Sequence, residues 1–502
     1  MLRAVRFVIT WVIGFGLWLA IAIILTSVFR ERAPQVYNVI YWVAIAAVAY
    51  IVIKKNNPYS IKWVIIILLM PIFGLGLYLF FARADIIGGR NKRLRDSIAR
   101  GTNFLHKNPD IYAEFGRIHP ERKRIAGYLG RKGQPLYGNT VCEYFPLGEL
   151  KFDAMLSDME KAERFIFLEY FIVRRGELWN KIQDILIHKA GQGIEVRVMM
   201  DDVGSILFPR KMIKALKAKG VQVLRFNDVH GIFSKYYFNY RNHQKIAVID
   251  GNIGYTGGAN IADEYINAYQ KFGHWKDTAI RLEGEAVWSL TVTFLQMWDG
   301  ETKTSSDYEI YRPATSCRSE GFYQPFADGP TVDLDQIAKN IYKLFIYNAR
   351  KYIYITTPYL IVDSTMLDAL RVAAKGGTDV RIMVPKKWDK WFVHIVTLSN
   401  YQTLLEAGVR IFEYTPGFVH AKTIISDDEH AVMGTINMDY RSFYLHYENG
   451  VWICGAPVIE DIKKDMLDTF ELCEEIELEA WMRRPWYDRF LEAVMRLFAV
   501  VF

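Results

Sequence analysis

Two short stretches of the chain carry histidine, lysine and aspartate at the same spacing. The first reads NHQKIAVIDG at 242–251 and the second reads VHAKTIISDD at 419–428. The repeated residues are His243, Lys245 and Asp250, and then His420, Lys422 and Asp427. The β-branched and apolar residues between them favour a strand, in which residues two apart share a face. Each histidine should therefore point the same way as its lysine, whereas each aspartate ends the strand, where a turn and a supporting role are expected.

Two histidines and two lysines brought to one place would suit phosphoryl transfer. A neutral histidine can attack phosphorus and hold it covalently, which divides a difficult displacement into two easier steps. A second histidine can protonate the leaving oxygen and then accept a proton from the incoming hydroxyl. The lysines can donate to the phosphate oxygens, as can Asn260 and Asn437, each of which follows its histidine by 17 residues. This scheme requires no metal and no other cofactor.

The segments that must position these residues are also repeated. The matching pairs are ERFIFLEYFIV (163–173) with RKYIYITTPYLIV (350–362), GIEVRVMM (193–200) with GTDVRIMV (377–384), and KGVQVLRF (219–226) with AGVRIFEY (407–414). They occur in the same order in both halves. Short apolar runs alternate there with helix-like patterns, as in folds that alternate β and α elements. The sequence therefore predicts a duplicated α/β domain, in which a mixed sheet is flanked by helices, with the two copies joined near residues 301–324.

The N-terminal region has a different composition. Residues 7–29, 37–53 and 63–82 are apolar runs without a charged residue, each near the length that crosses a bilayer as a helix. The first run is too long for a signal peptide, so we interpret it as an uncleaved anchor. Two to three transmembrane helices are expected, the alternative being that 37–53 is buried or interfacial. Eight basic residues follow the first and third runs against five on the other side, which favours a cytoplasmic location for the C-terminal part.

Charge and cysteine content narrow the function classes further. The formal net charge of +7 suits an anionic partner, either a membrane surface or nucleic acid. The four cysteines form no CxxC pair, which argues against a zinc site and a disulfide framework. Three apolar runs and the lack of a dense basic arm in the catalytic part argue against a nucleic-acid substrate. A non-catalytic scaffold would be expected to have lost at least one motif histidine or lysine, and all four are present.

The doubled HxKxxxxD motif, each copy followed by a small-residue loop and an asparagine, resembles the phospholipase D superfamily. The surrounding segments FNYRNHQK, GYTGGANIADEY, GHWKDT and GTINMDYRSFYLHYEN are similar to those of bacterial cardiolipin synthases, from about residue 37 to the C-terminus. The resemblance implies two phospholipase D folds that share one active site. It also implies a multi-pass enzyme of the bacterial cytoplasmic membrane, which condenses two phosphatidylglycerol molecules into cardiolipin and glycerol through a phosphohistidine. The first apolar run is a departure from the family pattern, because many of the enzymes it resembles have two such runs.

The resemblance assigns roles to single residues. His243 would be the nucleophile and His420 the general acid and base, although the spacing alone permits the reverse. An acidic residue beyond each motif would orient the histidine of that same motif. The matching residues are Asp277 in WKD and Glu448 in YEN, 34 and 28 positions beyond the two histidines. Hydrolysis to phosphatidic acid, or transfer to another acceptor such as phosphatidylethanolamine, would use the same residues and stays an alternative.

The sequence also predicts where the domains begin and end. The expected parts are a membrane-anchoring region (1–82), a basic juxtamembrane linker (83–110), a first phospholipase D-like domain (111–310) and a second one (311–502). Residues 481–502 combine aromatic, arginine and apolar residues, which suits a helix in the plane of the lipid headgroups or a terminal helix packed on the fold. The aromatic segment 386–394 could form a loop that dips toward lipid, and the alternative is a core helix following it.

Overall fold

The computed structural model describes residues 24, 26–28, 30–54, 58–81, 88–228, 239–315, 317–318, 321–331 and 335–500. Two compact units divide the chain, Met1–Arg83 and Ala84–Phe502. The predicted apolar run at 7–29 lies largely outside the described residues.

The described part of the N-terminal unit includes the helices α1 (Pro34–Lys54), α2 (Pro58–Leu69) and α3 (Pro71–Phe81). Proline opens each of them, since it lacks the N–H that the first turn of a helix leaves unused. Among the described residues, α1 is the one helix long and apolar enough to cross a membrane.

The prediction of one continuous spanning helix over 63–82 is wrong, because the chain bends before Pro71. At a rise of about 1.5 Å per residue, α2 and α3 are each shorter than the roughly 30 Å apolar core of a bilayer. They pack against each other instead. The rings of Trp63 and Tyr78 lie 5.9 Å apart, and a Cβ atom at Gly74 would come within 2.5 Å of the Ile66 carbonyl oxygen.

The larger unit begins with the elements of the first half. Its strands are β1 (Thr140–Phe145), β2 (Phe165–Tyr170), β3 (Glu195–Asp201), β4 (Gln222–Phe226), β5 (Ile246–Ile249), β6 (Ile253–Gly257), β7 (His274–Lys276) and β8 (Ala279–Gly284). Its helices are α4 (Gly88–Thr102), α5 (Pro109–Ile118), α6 (Lys123–Arg131), α7 (Gly148–Glu160), α8 (Glu177–Gly191), α9 (Arg210–Ala218) and α10 (Val287–Thr302).

The second half follows with a closely similar set of elements. Its strands are β9 (Phe322–Asp328), β10 (Tyr352–Thr356), β11 (Leu360–Ile361), β12 (Asp379–Pro385), β13 (Arg410–Tyr414), β14 (Gly417–Val419), β15 (Thr423–Ser426), β16 (His430–Gly434), β17 (Met438–Asp439), β18 (Glu448–Cys454) and β19 (Cys473–Glu475). Its helices are α11 (Ile337–Asn348), α12 (Ser364–Lys375), α13 (Trp391–Leu398), α14 (Tyr401–Leu405), α15 (Tyr440–Tyr444), α16 (Val458–Phe470), α17 (Leu478–Met482) and α18 (Trp486–Leu497).

The two main sheets have the same topology. The first has the order β1-β8-β6-β5-β2-β3-β4, and the second has the order β9-β18-β16-β15-β10-β12-β13, extended by β19 at its edge. In both, three strands run parallel at one side and the others pair antiparallel. The predicted duplication of a mixed α/β domain is therefore confirmed. Apolar side chains of both sheets share one core, to which Phe167 and Ile280 contribute from the first half and Met433 and Ile453 from the second.

Short backbone pairings connect the halves beside the motif histidines. Strand β7 pairs in parallel with β14, so that Trp275 lies opposite Phe418. An isolated bridge joins Asn242 to Tyr447 in the same parallel sense. Each motif is therefore held next to a segment of the opposite half.

Two segments pack differently from the domain limits expected from sequence. Helix α4, within the predicted linker at 83–110, packs on α10, where the Ser97 hydroxyl donates to the Gln296 carbonyl at 2.8 Å. Helices α5 and α6 precede the first sheet in the chain, yet residues of both contact the second half. The ring of Phe115 meets that of Trp452 at 5.7 Å. These contacts depend on the tertiary fold and leave no periodic signal in the sequence.

Candidate active site

The motif histidines lie just before strands, in chain segments fixed by backbone hydrogen bonds. Strand β5 begins one residue after Lys245, and β15 begins one residue after Lys422. The His243 N–H donates to the Tyr447 carbonyl at 2.9 Å, and the His420 N–H donates to the Lys276 carbonyl at 2.7 Å. All four motif side chains are buried. The predicted pairing of each histidine with its lysine is present, although both precede the strand.

Each histidine is held by the carboxylate of the opposite half. His243 Nδ1 lies 2.9 Å from Glu448 Oε1, and His420 Nδ1 lies 2.7 Å from Asp277 Oδ2. Both acids are therefore the residues that the resemblance suggested, but the expectation that each orients the histidine of its own motif is wrong. The bridges between the halves explain the exchange, because they place each acid beside the other motif.

The carboxylates favour the tautomer of both rings that carries a proton on Nδ1, while Lys422 Nζ also lies 2.9 Å from His420 Nδ1. A neutral imidazole that faces a carboxylate through Nδ1 donates its proton there, which leaves the lone pair on Nε2 for chemistry. Burial lowers the pKa of His243 well below its usual range, and the charges of Lys245 and Lys422 add to this effect. Burial, followed by Lys422, lowers the pKa of His420 to about 4, while Asp277 opposes the shift. Both rings are therefore neutral near pH 7.

The two lysines are close to their histidines and share their burial. The Nζ atom of Lys245 donates to the His243 carbonyl, and that of Lys422 donates to the His420 carbonyl. Burial lowers the pKa of Lys245 to about 7 and that of Lys422 to about 8, although buried carboxylates counteract the shift. An incoming anion would favour their charged forms, so the site is built to bind negative charge.

The motif aspartates lie away from the reacting atoms, at the strand ends where they were expected. Asp250 and Asp427 have left-handed backbones, with φ of 56° and 58°. The Asp250 carboxylate accepts from the N–H groups of Glu163, Arg164 and Phe165 at 2.7–2.9 Å. The Asp427 carboxylate accepts from three N–H groups at the start of β10 in the same manner. Both aspartates therefore tie the motif strand to its neighbour.

The two asparagines occupy different surroundings. The Asn260 side chain accepts from the Ile172 N–H at 3.0 Å and donates to the Tyr265 hydroxyl at 2.7 Å. Asn437 is buried, and its side-chain oxygen has no hydrogen-bond partner among the described residues. Phosphate binding by these amides stays a prediction.

Several residues around Glu448 were not anticipated from the sequence. The hydroxyls of Thr435 and Ser442 both donate to its carboxylate, the latter at 2.7 Å. A third imidazole, His446, places Nδ1 3.7 Å from Glu448 Oε1, and its ring centre is 5.4 Å from that of His243. All three lie in the GTINMDYRSFYLHYEN segment, but contacts along a folded loop cannot be read from their spacing.

Aromatic rings form walls on both sides of the site. The ring of Phe171 lies 5.0 Å from that of His243. On the other side, Tyr265 and Trp275 lie 5.5 Å and 5.3 Å from His420. Apolar walls exclude water and strengthen electrostatic interactions with a bound phosphate.

The positive charges of neighbouring lysines make a metal ion unfavourable at this site. Among the described residues, His243, His446 and Glu448 form one of two groups that bring three such ligands together, and the other is His119, Glu429 and Cys454. The cations Lys245 and Lys422 act on His243 and disfavour a second positive charge there. The arrangement fits an anionic substrate better than a divalent metal.

Comparison with known sequences and structures identifies the family. The profile described as "Cardiolipin synthase, PLD-like domain" matches residues 155–298 and 342–469, so both halves are covered. A profile described as "Phospholipase_D-nuclease N-terminal" matches residues 42–83. A cardiolipin synthase of Geobacillus kaustophilus is 35% identical over 94% of this chain and 95% of its own length. The chain belongs to the cardiolipin synthase family.

Two further relatives and one solved structure are similar to this chain. A cardiolipin synthase of Listeria monocytogenes is 33% identical over 91% of this chain and 96% of its own length. A protein of Streptococcus mutans described as uncharacterized is 39% identical over 91% and 99% of the two chains. The crystal structure of a phosphatidylserine synthase from Haemophilus influenzae has the same fold, with a TM-score of 0.57 at 14% identity over 75% of this chain and 99% of that one. The chain is thus an enzyme of the cardiolipin synthase family.

Proposed function

We propose that this enzyme transfers the phosphatidyl group of one phosphatidylglycerol to a terminal hydroxyl of a second one, releasing cardiolipin and glycerol. The observation that carries the proposal is the pair of buried histidines, each fixed through Nδ1 by a carboxylate of the other half, with two lysines beside them. Two neutral imidazoles with free Nε2 atoms suit a reaction that needs one nucleophile and one proton carrier.

In the first step, His243 Nε2 attacks the phosphorus of the donor lipid. The new P–N bond forms as the P–O bond to glycerol breaks, and His420 transfers its proton to the departing oxygen. The pKa is lowered in both histidines, so both rings have a free lone pair, and His243 is assigned as the nucleophile because it belongs to the N-terminal motif. The histidine of the N-terminal motif also has this role in the superfamily that the motifs resemble. Glu448 stabilises the positive charge that develops on the ring.

His420 must be protonated before it can act as an acid. Its pKa is lowered to about 4, mainly because of burial. A phosphodiester brings a negative charge into the same space, which raises the pKa of a nearby histidine. Asp277 already favours the protonated ring. Substrate binding should therefore load the acid that the first step uses.

In the second step, the hydroxyl of the acceptor lipid replaces glycerol. His420 accepts the hydroxyl proton, the oxygen bonds to phosphorus, and the P–N bond to His243 breaks. The cationic forms of Lys245 and Lys422 balance the charge on the non-bridging oxygens in both steps. The aromatic walls limit access of water to the intermediate, which favours transfer over hydrolysis.

The lipid substrate places the enzyme at a membrane. Helix α1 is long and apolar enough to cross a bilayer. We propose that it anchors the chain in the bacterial cytoplasmic membrane, with the catalytic part on the cytoplasmic side.

The direct test uses purified full-length protein in mixed micelles with phosphatidylglycerol as the only lipid and a metal chelator present. Cardiolipin and glycerol should appear in equal amounts, and a variant carrying both His243→Ala and His420→Ala should form neither. Phosphatidic acid in place of cardiolipin would show that water is the acceptor and would contradict the proposed transfer.

A further inference from the structure

Helix α18 presents apolar side chains to solvent along one line. Trp486, Phe490, Ala493 and Leu497 are spaced by four, three and four residues, which places them on one side of a helix. We call these four residues the aromatic stripe. Trp486 is 72% exposed and Phe490 is 63% exposed. A water-soluble helix would normally turn such residues toward the core.

A buried ion pair holds the opposite side of the helix. Glu492 is buried and accepts from the Arg484 guanidinium at 2.7 Å. That guanidinium also lies 3.2 Å from the centre of the Trp481 ring, which stacks on Tyr401 of α14. Glu492 therefore faces inward beside partly buried Leu491 and Met495, while Trp486 and Phe490 face outward.

The residues next to the aromatic stripe indicate what covers it. Arg483 and Arg489 are exposed at its edge, as is Tyr487. Aromatic rings favour the headgroup depth of a bilayer, and arginine binds phosphate through paired N–H groups. A second copy of the chain on a twofold axis would bring the same arginines together, which charge repulsion opposes. The composition therefore fits the surface of an anionic bilayer.

The aromatic stripe is connected to the active site through one neighbouring helix. Helix α18 packs against α13. The segment before α13 contains Lys390, whose charge contributes to the low pKa of His243, and Asp389, whose carboxyl interacts with His420. Exposed Trp388 lies in this same segment. A membrane contact at α18 would thus bring the edge of the active site to the lipid surface.

We propose that the aromatic stripe inserts into the headgroup layer of an anionic bilayer and holds the active-site edge at residues 386–390 against that surface. A lipid headgroup can then reach the histidines while its acyl chains stay in the bilayer. This purpose rests on the proposed function, whereas the membrane contact itself can be measured without turnover.

The contact can be tested in full-length protein reconstituted into vesicles that contain phosphatidylglycerol. A fluorophore is attached at Phe490→Cys, in a background where the four native cysteines are replaced by serine. The matched control is Tyr347→Cys, an aromatic residue that is 57% exposed. Tyr347 lies next to Asn348, and the Asn348 carbonyl accepts from Arg122. Arg122 also donates to Asp427, which lies at the end of the motif strand away from the motif histidine. Nitroxide lipids labelled at the headgroup should quench the fluorophore at position 490 and not the one at 347.

Equal quenching at both positions would overturn the proposal, as would efficient disulfide cross-linking between chains through position 490, which would mean that a second copy covers the aromatic stripe. If position 490 is quenched more than position 347 but the unmodified enzyme forms no cardiolipin, the membrane contact is supported and the proposed function is contradicted. If the unmodified enzyme forms cardiolipin but both positions are quenched equally, the proposed function is supported and the membrane contact is contradicted.

A pair of substitutions tests the consequence for turnover. Trp486→Glu with Phe490→Glu should lower cardiolipin formation in vesicles by about tenfold, because a charged face resists insertion. The same variant should retain its rate in detergent micelles, and Tyr347→Glu should retain its rate in both. A loss of equal size in vesicles and micelles would contradict the role of the aromatic stripe.

Discussion

At the scale of residues, the exchange of carboxylates between the halves gives each motif histidine a partner from the opposite half. Glu448 contacts the proposed nucleophile His243, and Asp277 contacts the proposed acid and base His420. Each carboxylate fixes the tautomer of its partner, as the aspartate does in a serine hydrolase triad. Substitution of Glu448 should therefore impair the attack by His243, whereas substitution of Asp277 should impair both proton transfers of His420.

The step affected identifies the pairing. In Asp277→Asn proton transfer by His420 should slow in both steps, so turnover falls by about 10²–10³-fold while the intermediate that does form leaves His243 slowly. In Glu448→Gln the intermediate should hardly form, since the ring loses the partner of its Nδ1 proton. Rapid-quench experiments with radiolabelled phosphatidylglycerol measure both. The reverse pattern would mean that each acid serves its own motif or that the histidine roles are exchanged.

The repeated types and spacing were sufficient to single out the four motif side chains, whereas both acids were suggested by the resemblance to a known family. It could not predict which acid meets which histidine, since offsets along the chain carry no information on pairing between halves. His446 was missed for a related reason. His446 lies close to Glu448 because of the way the segment between β17 and β18 folds, and no sequence pattern predicts this.

At the scale of elements, short structural details position the site. Gly258 follows β6 and lies against both partners of one ion pair. A Cβ atom there would come within 2.0 Å of Asp277 Oδ1 and 3.0 Å of the His420 carbonyl oxygen. The repeat was readable at this scale, because strands of the same order have similar residues. The bend before Pro71 shows the converse, since an uninterrupted apolar run concealed two helices.

Gly258→Ala should displace Asp277 from His420 and lower turnover by about 10²-fold, as loss of an acid–base group does. Gly191→Ala is the matched control, because a Cβ atom at this position of α8 meets no neighbour. Turnover numbers in phosphatidylglycerol micelles measure the difference. A rate for Gly258→Ala equal to that of the control would contradict the proposed positioning of Asp277.

The motif aspartates should affect stability more than chemistry. Asp250→Asn keeps a residue that tolerates a positive φ but weakens an acceptor of three backbone N–H groups. We expect the free energy of unfolding to fall by about 1–3 kcal/mol, while the turnover of the folded enzyme stays within about threefold. Denaturant unfolding with Asp368→Asn, an exposed aspartate, as control measures this. A large fall in turnover with unchanged stability would instead assign Asp250 a chemical role.

At the scale of the whole molecule, the buried site opposes stability in order to bind an anion. Burial lowers the pKa of Lys422 from its usual 10.5 to about 8. Since the folded-state pKa lies below the unfolded one, the unfolded chain binds more protons between these values, and stability rises with pH across that window. Burying the charged Lys422 side chain lowers the free energy of unfolding by its full amount below pH 8, and this loss declines as the pH rises toward 10.5.

Lys422→Met should therefore raise the thermal unfolding midpoint at pH 7, and this gain should shrink as the pH rises toward 10. Cardiolipin formation should fall by more than about 10²-fold, because a donor to the phosphate oxygens is lost. Thermal unfolding in detergent at several pH values measures the first effect. A gain that grows with pH would have the wrong sign for a buried cation.

The central claim is that phosphatidyl transfer passes through a covalent bond to His243. The most direct measurement uses the His420→Ala variant, which lacks the acid and base, and a p-nitrophenyl ester of phosphatidic acid with a labelled phosphate, whose leaving group needs no acid; the reaction is then quenched. Peptide mapping at a pH that preserves phosphohistidine should locate the label on the peptide containing His243, with none in a variant that also carries His243→Ala. Label on another residue of the chain, or cardiolipin formation at an undiminished rate without either histidine, would contradict the account.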